Sequence, residues 1–204
     1  MATPFDEKEK ELIRKKLKEV AEECLLKYGV KKTTVDQLVQ MAGISKGSFY
    51  NFYSAKEVLF FIVLEEYQKS LISKLINRLK KLDNIGIDEF TELIYGVYQD
   101  VRKSFIMNII QNQEFEYFIK KLPKELIMDH HSLDDTFTRE LFSYIKIRED
   151  INIDVVTASL RAIFMSMIYI EEIGEKEFDE VLMVLIRGVA QQVIEEDYNN
   201  EWNY

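Results

Sequence analysis

The sequence predicts an all-α protein, on three observations. Gly and Pro number only seven and two in 204 residues, too few to punctuate a strand-and-turn architecture. Charged residues make up 31% of the chain and Leu, Ile, Glu and Lys are abundant, a composition that suits exposed helix faces. Apolar residues also recur at spacings of three and four along most of the chain, the period of a helix with one buried stripe. A hydrophobic content of 47% is enough to bury a core in one or two domains of ordinary size, so most of the chain is not disordered.

The elements follow in order. From Lys8 to Tyr28 the residues Ile13, Leu17, Val20, Ala21, Cys24, Leu25 and Tyr28 form one apolar stripe, with Gly29 where a left-handed C-terminal cap belongs. Thr33 and Thr34 are N-cap candidates for a short helix carrying Val35, Leu38, Val39 and Ala42, with Asp36 in its first turn complementing the helix dipole. Gly43-Ile44-Ser45 then supplies a glycine for positive φ, an apolar pin and a capping serine for a third helix, Lys46 to Tyr53. Two short helices joined by so tight a turn make a helix-turn-helix. Ser54 caps a long helix through Val58, Ile62, Leu71, Leu75, Leu79 and Leu82. Beyond Asn84-Ile85-Gly86, further helices are expected over 88–104, 105–121, 133–147, 154–173 and 177–196, with a frayed acidic tail from Glu195.

Charge divides the chain. The net charge of −9 argues against a nucleic-acid binder when taken whole, because neutralising phosphates needs clustered Lys and Arg. Residues 1–53, however, hold ten basic and eight acidic side chains, whereas residues 54–204 hold seventeen and twenty-eight. With a screening length of about 8 Å in physiological salt, distant acidic groups do little to cancel a local basic surface. No apolar leader opens the chain, and the longest mostly apolar run, Ala162 to Ile170, is well short of the roughly 18 residues needed to span a bilayer. Neither secretion nor a membrane anchor is expected. The single cysteine, Cys24, cannot form an intramolecular disulfide or a thiolate metal site, which suits a reducing cytoplasm, and its expected place is in the core.

In a helix-turn-helix the second helix enters the major groove while flanking caps grip phosphates. Here Lys46 can meet phosphate or guanine, Ser48 and Asn51 carry donor and acceptor groups for base edges, and Gly47 lets the backbone approach DNA. Phe49 should point inward as an anchor. Tyr50 and Tyr53 offer hydroxyls to phosphate oxygens, and Thr33, Thr34, Ser45 and Lys56 lie at helix starts that favour anions. Helix–Gly–helix turns also occur as plain core, so periodicity alone leaves both readings open.

The order of residues goes further. Thr33-Thr34-Val35, Leu38, Ala42-Gly43-Ile44-Ser45-Lys46-Gly47-Ser48-Phe49-Tyr50 and Lys56-Glu57-Val58-Leu59, within Leu12 to Leu64, closely resemble the DNA-binding domain of the tetracycline-repressor (TetR/AcrR) family of bacterial transcription regulators. The resemblance covers about a quarter of the chain. It implies a homodimer with an N-terminal three-helix reading head over residues 1–56 and a divergent helical domain over 57–204 that binds a small molecule and dimerises. The chain departs from the family at one place on this surface: His-Phe is usual where Phe52-Tyr53 stands, so residue 52 cannot make a histidine contact to phosphate.

Segments 154–173 and 177–196 carry apolar faces larger than one core contact needs, through Val155, Leu160, Ile163, Phe164, Met167 and Ile168, then Val181, Leu182, Leu185, Ile186, Val189 and Val193. Two such helices from each of two subunits can form a four-helix bundle, so a homodimer through residues 154–196 is expected, the other reading being a subunit's own core. Between residues 88 and 170 large soft side chains accumulate. Tyr95, Tyr98, Phe105, Phe118, Phe142, Met165 and Tyr169 are candidates to line a site for an apolar or aromatic effector, with Arg161, or Arg102, facing an acidic group on it. Aromatics at helical spacing also serve as plain core, and either arginine can instead pair with a carboxylate.

Catalysis finds no constellation. His130 and His131 are adjacent, so they are not an i, i+4 metal pair, and neither lies three residues after a Glu. No Gly-rich phosphate loop, nucleophile-elbow serine or zinc-protease motif occurs, and no cofactor or metal is expected. The expected function is a cytoplasmic, ligand-released regulator, a repressor, that binds an approximately palindromic double-stranded DNA operator as a dimer. The competing reading is a helical small-molecule carrier or adaptor that retains an unused helix-turn-helix.

Overall fold

The computed structural model describes residues 6–82, 84–127 and 138–195. The histidines 130 and 131, the beginning of the helix expected over 133–147 and the tail beyond Glu195 lie outside them. The described residues are helical throughout, with one isolated antiparallel bridge between Ile147 and Ile194 and no strand. The helices are α1 Glu7–Lys32, α2 Val35–Ala42, α3 Lys46–Phe52, α4 Lys56–Leu79, α5 Ile87–Arg102, α6 Phe105–Gln111 and α7 Phe115–Lys120, then α8 Ile153–Ser166, α9 Ile170–Ile173 and α10 Phe178–Val193. A 3-10 turn over Met167–Tyr169 joins α8 to α9. Residues 124–127 and 138–142 are also helical. The single helix expected over 105–121 is two, parted at Asn112 to Glu114, where Gln113 takes φ 53°.

Two compact units divide the chain. The first holds Met1–Ser70 and Val101–Met128, the second Leu71–Asp100 and Asp129–Tyr204. Residues 1–56 therefore share a unit with α6 and α7, which follow them by some fifty residues or more in sequence. In the first unit Leu17, Val20, Ala21, Cys24 and Leu25 of α1 are buried with Leu38, Phe49, Leu59 and Phe60, and α6 adds Phe105, Ile106, Ile109 and Ile110. Cys24 takes its expected place, fully buried with its Sγ 3.7 Å from the Met41 sulfur.

The N-terminus of α1 is closed by a reciprocal capping box. Asp6 accepts from the Glu9 amide at 2.7 Å, and the Glu9 carboxylate accepts from the Asp6 amide at 2.9 Å. The far end departs from a simple left-handed cap. Gly29, fully in the interior, takes φ 75° and ψ −171°, and helical bonding resumes through Lys32. The break frees backbone groups, and side chains from α6 and the turn after it meet them. Glu114, 4% exposed, accepts from the Val30 amide at 2.5 Å and the Lys31 amide at 3.1 Å. Asn108 Nδ2 donates to the Leu25 and Leu26 carbonyls at 2.7 and 3.1 Å. The unit thus satisfies an interrupted helix with side chains from another part of the chain.

In the second unit α5, α8 and α10 share a core of Phe90, Ile94, Tyr98, Ile163, Phe178, Leu182, Ile186 and Ala190. Residues 153–173 are 21 positions long and apolar enough by length and composition to cross a membrane, and 28% of their most apolar 18-residue window is buried. Arg161 interrupts them midway and the 3-10 turn breaks their register. Val155 of this stretch lines a groove with Leu185 and Gly188 of α10, described below.

Candidate nucleic-acid interface

The reading surface is built from two caps and a turn. Thr34 caps α2: its hydroxyl accepts from the Gln37 amide at 3.2 Å while the Gln37 side chain accepts from the Thr34 amide at 2.9 Å. Gly43 ends α2 in the left-handed region at φ 72°, ψ 32°, with the Ile44 amide donating to the Val39 carbonyl at 3.0 Å, the bond that closes a Schellman motif. Ser45 then caps α3 by accepting from the Ser48 amide at 3.0 Å, and the two hydroxyls lie 2.8 Å apart. Every step of the turn is fixed by a hydrogen bond, so α3 is held in a set orientation to α2.

Phe49 anchors α3 from beneath. It is fully buried, meets Tyr50 edge-to-face at 5.4 Å and lies 5.9 Å from the Tyr53 ring. On the outer side Ser45, Lys46, Gly47, Tyr50 and Asn51 are exposed, Tyr50 by half of its surface, and Ser48 is half-buried. Lys46 forms an ion pair with Asp36 of α2 at 3.0 Å, which raises its affinity for its proton. A Cβ on Gly47 would meet nothing closer than the Ser45 Oγ at 3.8 Å. The chain's own packing therefore does not require glycine at that position, and a side chain would project from the outer face. If a partner's backbone is what demands the bare position, Gly47→Ala should raise thermal stability by about 0.4–1 kcal/mol while weakening DNA binding. A stabilised variant that binds DNA like the wild type would show that Gly47 makes no close approach.

Three of the sequence-predicted contact residues face inward. Thr33 is fully buried and its hydroxyl donates to the Gly29 carbonyl at 2.7 Å. Tyr53 is 6% exposed, and burial raises the pKa of its phenol against the opposing charge of Arg14. Lys56 Nζ donates to the carbonyls of Val30 at 2.7 Å and Thr33 at 2.5 Å. Burial lowers the pKa of that ammonium, with Glu57 and Glu114 opposing the shift. Thr33 and Lys56 bind the end of α1 to the starts of α2 and α4. Both lie at helix starts, and Tyr53 lies at the end of α3. Phe52, at the end of α3, is half-buried, and the Arg14 guanidinium lies over its ring at 5.5 Å from the centroid. Sequence reasoning overlooked Arg14 because 38 residues separate it from Phe52 and nothing in its local pattern marks it.

The nominated effector-binding residues are divided between the two units. Phe105 and Phe118 are buried in the first unit, Phe105 edge-on to Tyr67 at 5.5 Å. In the second, Phe142 stacks on Phe90 at 6.1 Å, and the Tyr98 hydroxyl donates to the Leu160 carbonyl at 3.0 Å. Burial pushes that phenol well above its ordinary range. The Tyr95 hydroxyl accepts from Gln99 at 2.6 Å. Arg161 and Met165 are half-buried on α8, and Tyr169 is 55% exposed. The second unit also carries a groove. It holds about 440 Å³ and is lined by Asn152, Val155 and Ser159 of the α8 side and Leu185, Gly188 and Gln192 of α10, among others. Among the described residues no group of three or more His, Cys, Asp and Glu is placed to hold a metal ion.

Comparison with known proteins matches residues 17–63, from mid-α1 into α4, to the family described as bacterial regulatory proteins, tetR family. No curated protein matches the sequence significantly. Solved structures resemble the fold over nearly the whole chain. A TetR-family transcriptional regulator from Streptomyces coelicolor is 14% identical with a TM-score of 0.61, covering 91% of this chain and 97% of its own. RolR, solved with resorcinol, is 18% identical with a TM-score of 0.60, covering 94% and 99%. FadR from Bacillus subtilis, solved with stearoyl-CoA, is 13% identical with a TM-score of 0.57, covering 90% and 98%. Residues 17–63 thus match the tetR family of bacterial regulatory proteins in sequence, and the chain shares its fold from end to end with solved transcriptional regulators of that family.

Proposed function

We propose that this chain is a ligand-released repressor that binds an approximately palindromic operator as a homodimer. The observation that carries the reading is the outer face of α3. Lys46, Gly47, Ser48, Tyr50 and Asn51 project from a helix pinned by the buried Phe49, oriented by the Gly43 turn and flanked by the capped start of α2 at Thr34. A buried core helix would not expose this set of donors and acceptors. Lys46, Tyr50 and the caps at Thr34 and Ser45 take phosphates, and Ser48 and Asn51 read base edges.

Dimerisation through residues 154–196 is supported by apolar surface that the second unit leaves uncovered. Val155 is 59% exposed, Val184 69% and Leu185 42%. Val184, Leu185, Gly188, Val189 and Gln192 fall on one stripe of α10, opposite the buried Leu182, Ile186 and Ala190. A second copy seated on this stripe and on the exposed side of α8 completes a four-helix bundle. In helix-turn-helix dimers the half-sites lie about 34–36 Å apart, or a multiple of that.

The effector is an apolar or aromatic small molecule, in keeping with the resorcinol and stearoyl-CoA bound by two structural neighbours. Its binding favours a packing in which α4 shifts and carries the reading head with it, because α4 runs without interruption from the first unit into the second. Allosteric coupling of about 1–3 kcal/mol corresponds to roughly 5–150-fold weaker operator binding.

Titration against the promoter regions of the chain's own and adjacent genes tests the reading. Lys46→Ala and Tyr50→Ala should bind more weakly at unchanged thermal stability, and loss of Lys46 should lower the salt slope by about one. A folded protein that binds none of these duplexes, or variants that bind them equally, would favour a carrier or adaptor with an unused helix-turn-helix.

A further inference from the structure

Around the recognition helix, cationic groups differ sharply in what already engages them. Lys46 is paired with Asp36, and Lys56 is spent on the carbonyls of Val30 and Thr33. Along α1, Lys10, Lys16, Lys18 and Lys27 pair with Glu7, Glu19, Glu66 and Glu23. Arg14 is different. It is exposed, makes no ion pair among the described residues, and its guanidinium lies over the Phe52 ring, 5.5 Å from the centroid.

That placement has consequences. Phe52 is the last residue of α3, so the charge sits beside the end of the recognition helix although Arg14 belongs to α1. A guanidinium packed on an aromatic face keeps its N–H edges free, and two of them can meet phosphate oxygens together. The ring also restricts the side chain in advance, so less conformational freedom is lost when an anion binds. A cation without a carboxylate partner among the described residues, held against the ring of an α3 residue, is arranged for an external anion.

We propose that Arg14, held over Phe52, is a phosphate-binding residue of the DNA interface. This rests on the reading of the head as DNA-binding and adds a contact from α1 to those of α2 and α3. Phe52 is then a positioning residue, acting through Arg14.

The test uses the full-length protein and a labelled mixed-sequence duplex several helical turns long, followed by anisotropy from about 50 to 200 mM salt. Arg14→Gln should flatten the dependence of log K on log salt by about 0.9 and weaken binding roughly tenfold at moderate salt, with an unchanged thermal midpoint. Arg14→Lys should restore the slope. Phe52→Leu, with the full charge retained, should lose less than Arg14→Gln and add nothing to it in the double variant. If Arg14→Gln keeps the wild-type slope and affinity while Tyr50→Ala weakens binding, Arg14 merely packs on the ring and the proposal falls while the DNA-binding reading stands. A wild-type protein with no salt-dependent binding to duplex DNA overturns both.

Discussion

Placing a glutamate at Val155 and another at Leu185 should convert the protein to a monomer and weaken operator binding by about 10²–10⁴-fold. Both side chains are substantially exposed in the single chain, so neither substitution empties a core, and helical content should be preserved. In a dimer seated on this face, the same positions would be desolvated on both copies, and four buried carboxylates without partners would oppose association. A monomer holds one reading head. Losing the second half-site removes the effective concentration that links the two binding events, and that linkage alone accounts for the expected range. Sedimentation equilibrium reads the oligomeric state, and a titration with an operator selected by the wild-type protein reads the affinity. A double variant that remains dimeric would move the subunit interface to another face. A monomeric variant with undiminished operator affinity would remove the requirement for two heads.

The parts of this architecture that could be read from residue order are those whose physics is local. Thr34 and Ser45 cap helices within three residues of themselves, Gly43 supplies its own left-handed turn, and Phe49 is buried where the apolar period of α3 places it. Each was expected with its role. For Thr33 and Lys56, whether a group at a helix start faces an external anion or a neighbouring carbonyl depends on which segment packs over it. For Lys56 that segment is the end of α1, more than twenty residues away. Among the aromatic residues after position 88, helical spacing alone cannot tell a stacked pair such as Phe90 and Phe142 from a cavity wall. The apolar excess of α8 and α10 was legible as an excess. Its separation into a buried stripe through Leu182 and Ile186 and an exposed one through Val184 and Leu185 required coordinates.

Gly29→Ala should destabilise the first unit by about 3 kcal/mol or more, which would make it the most damaging single substitution in the reading head. At φ 75° and ψ −171° the backbone occupies a region populated almost only by glycine, and holding another residue there costs about 1–3 kcal/mol. The added Cβ would also stand 2.5 Å from Glu114 Oε2 and 3.2 Å from its carboxyl carbon. That carboxylate cannot withdraw freely, because it accepts from the buried Val30 amide, and an unsatisfied buried donor costs about 1–3 kcal/mol more. Thermal or denaturant unfolding of Gly29→Ala, Glu114→Ala and the double variant separates the contributions. Glu114→Ala alone should cost about 1–3 kcal/mol, and the double variant should lose less than the two singles combined, because truncating Glu114 removes the clash but leaves the backbone strain. Strict additivity would mean that the methyl group and the carboxylate do not compete for the same space. A Gly29→Ala protein as stable as the wild type would mean that α1 can relinquish its break at Gly29, and with it the tie from Glu114 that holds the end of α1 to the turn after α6.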